Sequence, residues 1–192
     1  KKAGCTHVVL EMTSEGAKQF RHKWIDIDAF LFTNISPEHI ESHGSYEKYR
    51  AAKLEIARLV EVSKKKNTIL AVNSDDVEAE RFLAFKASHK LPYSIHDAEP
   101  FAVNDSKTYF TFHGTRIEPK LIGLFNIYNS LGAATIASAM GIPAQTIKAG
   151  IEGLSGILGR VEKVSVGAKQ NFDVVVDYAH TIDSLEKLYG AF

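Results

Sequence analysis

At 192 residues the chain is sized for one good core, since domains usually run about 100 to 200 residues, and one domain, or one domain plus a fragment, is expected rather than two full-sized domains. Hydrophobic residues make up 45% and charged residues 24%, with 11 Phe and 7 Tyr, so enough apolar surface is available to offset the entropy of ordering and global disorder is excluded too. Lys+Arg and Asp+Glu balance at 23 each, so no net field draws the chain to nucleic acid or to an anionic membrane, and an anionic ligand has to be held by local groups.

The lone Cys5 can neither close an intrachain disulfide nor build a thiolate zinc site, which points to a reducing compartment or to no redox information at all. No apolar run approaches the roughly 18 residues of a membrane span, and Lys1-Lys2-Ala3-Gly4 leads into a strand-like run rather than a signal-peptide core. The expectation is a soluble, cytoplasmic chain with no nucleic-acid and no membrane partner.

In chain order, Thr6 to Met12 (THVVLEM) and Ala29 to Thr33 (AFLFT) read as buried strands. Tyr46 to Val62 reads as an amphipathic helix ending in the solvated run Lys64-Lys65-Lys66, Thr68 to Val72 as a third strand, and Asp76 to Ser88 as a second helix. This alternation requires crossover connections, so the predicted fold is α/β with a mainly parallel sheet flanked by helices. Between Tyr93 and Leu121 short alternating runs around Gly114 predict a small antiparallel β appendage. Asn126 to Met140 and a segment from Pro143 to about Gly153 predict two closely packed helices. Val161 to Val166 and Phe172 to Val176 are predicted strands across Gly167, followed by Asp177 to His180 and an amphipathic segment, Ser184 to Tyr189.

In open parallel sheets ligands bind beyond the carboxyl ends of the strands. Three polar groups follow predicted strands: Glu11 with Thr13, Ser14 and Gly16; Asn34 to His39; and Asp177 to Thr181. Taken singly, Glu11 also reads as a helix cap and His39 as an ordinary surface histidine.

Taken together, these groups carry a resemblance. The run FTNISPEHIESHGSYEKYRAAK, from Phe32 to Lys53, resembles the signature of the Mur ligases; so do VVLEMTSEG (Val8 to Gly16), GLFNIYN (Gly123 to Asn129), Gly159-Arg160 and VVDYAHTIDSLEK (Val175 to Lys187). The spacing looks most like the branch that adds the third amino acid of the peptidoglycan stem peptide. The resemblance implies a P-loop-type central domain over 1–170 and the start of a C-terminal domain over 171–192. It implies ATP-dependent amide formation, in which a substrate carboxylate attacks the γ-phosphate and an incoming amine displaces the resulting acyl phosphate. The implied partners are a UDP-N-acetylmuramoyl-dipeptide and an amino acid, with ATP as substrate and Mg²⁺ as cofactor.

The same resemblance assigns residues. Glu11, His39 and Lys53 would be metal ligands, Lys53 as a carbamate, and Lys53 and His39 would be catalytic. Thr13, Ser14, Gln19 and Arg21 would bind the muramoyl substrate, and Asn34, Asn126, Arg160, Asp177 and His180 would bind ATP. Mg²⁺ prefers oxygen, so Glu11 and a carbamylated lysine are chemically sensible ligands, and Arg21 can grip a carboxylate bidentately. Asn126 also reads as the cap of its own helix.

The chain departs from the family pattern at Thr13-Ser14-Glu15, where Ser-Ser-His is usual, and at Ile182, where proline is usual. Glu15 exchanges an imidazole for a negative charge, which bears on the substrate more than on the reaction. No Gly-x-x-x-x-Gly-Lys-Thr/Ser occurs, so the phosphate cradle is expected upstream, in a longer enzyme of which this is an internal piece, inactive alone. The alternatives are a ligase of the folylpolyglutamate synthase type and a non-catalytic α/β module derived from the family.

Overall fold

The computed structural model of the chain describes residues 3–37, 40–104, 108–164, 167 and 171–192. Residues 4–13 have no regular structure, which corrects the strand expected from Thr6 to Met12: Val8 and Val9 are 86% and 99% exposed. A β run needs a neighbour for its backbone groups, and among the described residues no strand takes this segment up. The chain then makes α1 (Ser14–Lys18).

Next come β1 (Ala29–Phe32), α2 (Ile40–His43), α3 (Tyr46–Ala57), α4 (Leu59–Val62), β2 (Ile69–Asn73), α5 (Ala79–Leu83) and β3 (His89–Tyr93). The three strands form a parallel sheet in the order β1-β2-β3, with Ile69 opposite both Ala29 and His89. All five residues of β2 are buried, as a strand covered on both faces must be. The pleat sends Leu70 and Val72 to one side, where they pack with Phe32 of β1 and with Tyr49, Ala57, Val60 and Phe82 from the helical layer of α3 to α5. Phe82 stacks on Phe32 with ring centroids 3.7 Å apart. Ala71 points to the other side and a second core.

That second core is built by a turn of 3-10 helix at Ile95–Ala98, by β4 (Ala102–Val103), β5 (Thr108–Phe112) and β6 (Thr115–Ile117), and by α6 (Leu124–Ala139) and α7 (Ala144–Gly153). The antiparallel order β4-β5-β6 is the expected appendage, and Phe110, Ile117, Ile127 and Leu131 are wholly buried between it and the sheet. Gly132 allows α6 to approach closely: a Cβ there would lie 2.8 Å from Tyr93 Oη and 3.1 Å from Leu31 Cδ1.

β7 (Glu162–Val164) and β8 (Val174–Val176) pair antiparallel, and α8 (Ile182–Tyr189) follows, capped by Thr181. Residues 165 and 166 of the expected strand lie outside the described residues. The division expected after residue 170 falls inside this hairpin. The helix expected over Asp76 to Ser88 is only α5, because Asp76 Oδ1 accepts the Glu78 N–H at 2.9 Å and holds a turn there instead. No helix of the described residues is long and apolar enough to cross a membrane.

Candidate functional site

α1 begins at Thr13, whose Oγ1 accepts the Gly16 N–H at 3.0 Å as an N-cap. The next residue, Ser14, is buried, with its hydroxyl 3.0 Å from Nε2 of the buried His43. Glu15 Oε1 lies 3.3 Å from the same nitrogen and 3.2 Å from Lys18 Nζ, and Lys18 also donates to the Ser42 carbonyl. Hydrogen bonds from Ser42 and Lys18 hold the Glu15 carboxyl below the usual carboxylate range. The charge that Glu15 brings in place of a histidine is therefore engaged within the chain.

Glu11, Thr13, Gly16 and Arg21 line an open cleft of about 430 Å³ beside α1. Gln19, the C-cap of α1, is exposed. Lys53 does not line this cleft; its Nζ stands 5.4 Å from the centre of the Tyr49 ring, and that ring lies 5.4 Å from the His43 ring, edge to face. Ser14, His43, Tyr49 and Lys53 thus form a contiguous series from α1 to α3. His39 lies outside the described residues. Among the described residues no three His, Cys, Asp or Glu side chains gather so as to hold a metal ion, so Glu11 and its described neighbours do not by themselves fit one.

Asn34 is exposed two residues after β1. Asn126 sits in the first turn of α6, buried, and its Nδ2 donates to the Ile122 carbonyl at 2.7 Å. That bond turns its amide back over the helix start, whereas a capping side chain would accept; Oδ1 has no partner among the described residues. At the other end of the chain Arg160, Asp177 and His180 gather about Tyr178. The Arg160 guanidinium is 4.8 Å from the Tyr178 ring centre, the His180 ring meets the same ring edge to face at 4.8 Å, and His180 Nδ1 is 2.8 Å from the Tyr178 carbonyl. Asp177 accepts from Val161 N and Ala179 N, each at 2.7 Å. The Val161 φ of 47° is an unfavourable conformation for a β-branched residue, and the Asp177 bond pins it.

The contacts among the described residues therefore make two groupings, one around α1 and one around Tyr178, while Asn34 stands two residues beyond β1 and Asn126 in the first turn of α6. Sequence reasoning passed over His43 and the turn Asn73 to Asp76. The second was findable, since it follows an apolar strand and is entirely polar.

A parallel α/β layer with polar groups clustered after its strands is the class these features define. Residues 1–137 match the Mur ligase middle domain, and the chain belongs to that family. It is similar to the UDP-N-acetylmuramoyl-L-alanyl-D-glutamate--2,6-diaminopimelate ligase of Halalkalibacterium halodurans, 35% identical over 198 residues, covering 98% of this chain and 40% of that protein. The chain thus spans about two fifths of that relative's length. Among solved structures, MurF from Acinetobacter baumannii has a TM-score of 0.76 at 20% identity, over 90% of this chain and 38% of that one. Folylpolyglutamate synthase from Mycobacterium tuberculosis reaches 0.69 at 16% identity, over 88% of this chain and 39% of that one. Both structural likenesses speak for the fold alone.

Proposed function

We propose that the chain is the middle part of an ATP-dependent ligase that joins an amino acid to UDP-N-acetylmuramoyl-L-Ala-D-Glu through an acyl phosphate. The observation that carries this reading is the identity along nearly the whole chain to a ligase whose name states that addition. The division between central and C-terminal parts then lies before β7, near residue 160 rather than 170, because β7 and β8 belong to one hairpin.

In this reading the cleft beside α1 takes the peptide end of the muramoyl substrate. Arg21 offers a guanidinium fork that orients a carboxylate. Thr13 Oγ1 accepts within the cap, which leaves its O–H to donate to substrate. Ser14 acts from behind: its bond to His43 fixes α1 against α2. Because Lys18 pairs with the Glu15 carboxylate, the departure from Ser-Ser-His puts no uncompensated anion before an anionic substrate. Gln19 is an exposed amide at the C-terminal end of the same helix, two residues before Arg21.

On the nucleotide side, Asn126 Oδ1 is an acceptor suited to the exocyclic amine of adenine, and Asn34 supplies an amide at the end of β1. Asp177 uses one lone pair on each oxygen for backbone, leaving others for ribose hydroxyls. Arg160, braced on Tyr178, and His180 beside it can meet phosphate oxygens. The substrate carboxylate oxygen bonds the γ-phosphorus as ADP leaves; the amine then bonds the acyl carbon as phosphate leaves. Mg²⁺, when bound, neutralises phosphate charge; Glu11, His39 and carbamylated Lys53 are its candidate ligands on the motif match.

GLFNIYN and FTNISPEHIESHG favour the muramoyl branch over the folate branch. The deciding experiment incubates the full-length protein with Mg-ATP and either the muramoyl dipeptide with diaminopimelate or lysine, or tetrahydrofolate with glutamate, and weighs the products. A muramoyl tripeptide is expected. Product from the folate pair alone would reject the reading.

A further inference from the structure

The turn after β2 binds three other parts of the fold through its side chains. Asn73 Nδ2 donates to the Thr33 carbonyl at 2.8 Å, and Asp76 Oδ2 accepts the Ile35 N–H at 2.9 Å, so the backbone on either side of Asn34 is gripped from one place. Both side chains are themselves held: Asn73 Oδ1 accepts Asp75 N at 3.1 Å, and Asp76 Oδ1 accepts Glu78 N at 2.9 Å. In the other direction, Ser74 N and Oγ donate to the Tyr93 carbonyl at 2.8 and 3.0 Å. Asp75 Oδ2 accepts from Ile95 N and from Tyr128 Oη, each at 2.8 Å. Tyr128 stands on α6 two residues beyond Asn126.

The loop carrying Asn34, the end of β3 and the first turns of α6 are therefore all referred to one four-residue turn. Bonds from a carboxylate to N–H and O–H are the stronger kind, and their geometry is specific. Ligand groups supplied by different elements work together only if their separation is fixed, and a shift of about 1 Å can cost a hundredfold in rate. None of Asn73, Asp75 and Asp76 belongs to the motifs that carry the family resemblance.

We propose that Asn73, Asp75 and Asp76 are positioning residues that hold Asn34 and Asn126 in register on one adenosine triphosphate, acting through Thr33, Ile35 and Tyr128. The proposal rests on the reading of Asn34 and Asn126 as nucleotide contacts. Its chemistry sorts the substitutions. Tyr128→Phe removes one hydroxyl and keeps the ring. Asp75→Asn keeps a carbonyl oxygen able to accept both bonds that Oδ2 accepts, whereas Asp75→Ala keeps neither. Asp76→Asn can keep only one of the two bonds that Asp76 makes with two separate oxygens.

The test uses the full-length protein and two readouts, backbone amide exchange at Ile35 and Ile95 and steady-state kinetics in ATP. Asp76→Ala should speed exchange at Ile35 by about tenfold or more, and Asp75→Ala should do so at Ile95 while Asp75→Asn does not. Tyr128→Phe should raise KM for ATP by about tenfold with kcat within about twofold, and adding it to Asp75→Ala should make ATP use no worse. Unchanged exchange in both alanine variants would overturn the proposal. So would an unmoved KM for ATP in Tyr128→Phe, which also covers the case in which Asp75→Ala fails to fold. If the parent ligates no muramoyl substrate, the proposed function fails by itself, and the exchange measurements still decide whether the turn holds the two loops.

Discussion

Glu78 sits buried between three donors: Arg50 Nη1 at 2.8 Å, Tyr46 Oη at 3.2 Å and Arg81 Nε at 2.7 Å. Burial pushes its carboxyl up, but the Arg50 hydrogen bond and charge, with Tyr46 and Arg81, outweigh that and the net direction is down. A depressed carboxyl contributes stability above its unfolded value of about 4.3, lost as pH falls through the folded value. Urea-unfolding midpoints should therefore fall steeply below about pH 4.3 in the parent, and Glu78→Gln should be weaker at pH 7 with a flatter acid limb. Parallel acid limbs would show that Glu78 is not the group being titrated. Lys53 differs because it is half-buried and its ammonium stands over the Tyr49 ring, so removing it leaves the core intact. Lys53→Ala in the full-length protein should lose most ligase activity at an almost unchanged Tm, and short carboxylates should restore part of it by supplying the missing anionic oxygen. Full activity at saturating Mg²⁺ would reject the carbamate role.

At the scale of elements, the α6 approach to the sheet makes a sharp prediction at Gly132. Helix propensity alone would favour Gly132→Ala by about 1 kcal/mol. The added methyl would meet Tyr93 Oη, which donates to the buried Phe32 carbonyl at 3.2 Å, so the ring must shift and strain that bond. Overpacking of this kind costs about 1 to 3 kcal/mol, and the variant should unfold at lower urea; a stabilised variant would mean the helix has room to move away. β1, β2, α3, α6 and α7 were legible in the sequence because each carries an apolar run or stripe that one strong burial pattern explains. β3 was not, because an edge strand tolerates Lys90 and Pro92, residues that argue against a strand when read alone. α1 is only five residues long, too short for periodicity to register. Thr6 to Met12 has strand composition, yet pairing is a property of the neighbour as much as of the segment. The motifs mark the candidate site residues as a set, but the inward turn of Ser14 and the pairing of Glu15 with Lys18 and His43 depend on how α2 packs, which a motif does not give.

For the whole molecule, the groups around α1 and α6 among the described residues can bind and orient but include no glycine-rich turn for a γ-phosphate. Phosphoryl transfer is mainly positioning and charge stabilisation, and in P-loop proteins a glycine-rich turn with its lysine supplies both. No glycine in this chain is followed directly by lysine. Lys53 as a carbamate would be an anion and could not replace the cradle lysine, and Arg160, which can meet phosphate oxygens from the Tyr178 face, is a single side chain with no glycine-rich turn around it. The 192-residue chain alone, given Mg-ATP, the muramoyl dipeptide and an amino acid, should therefore release no phosphate above a heat-killed control. Adding the full-length protein to the same mixture should start release at once, which separates a missing cradle from an unsuitable substrate. Turnover by the chain alone would mean that its own side chains hold the γ-phosphate, and the expected division between a binding layer and a separate cradle would fall.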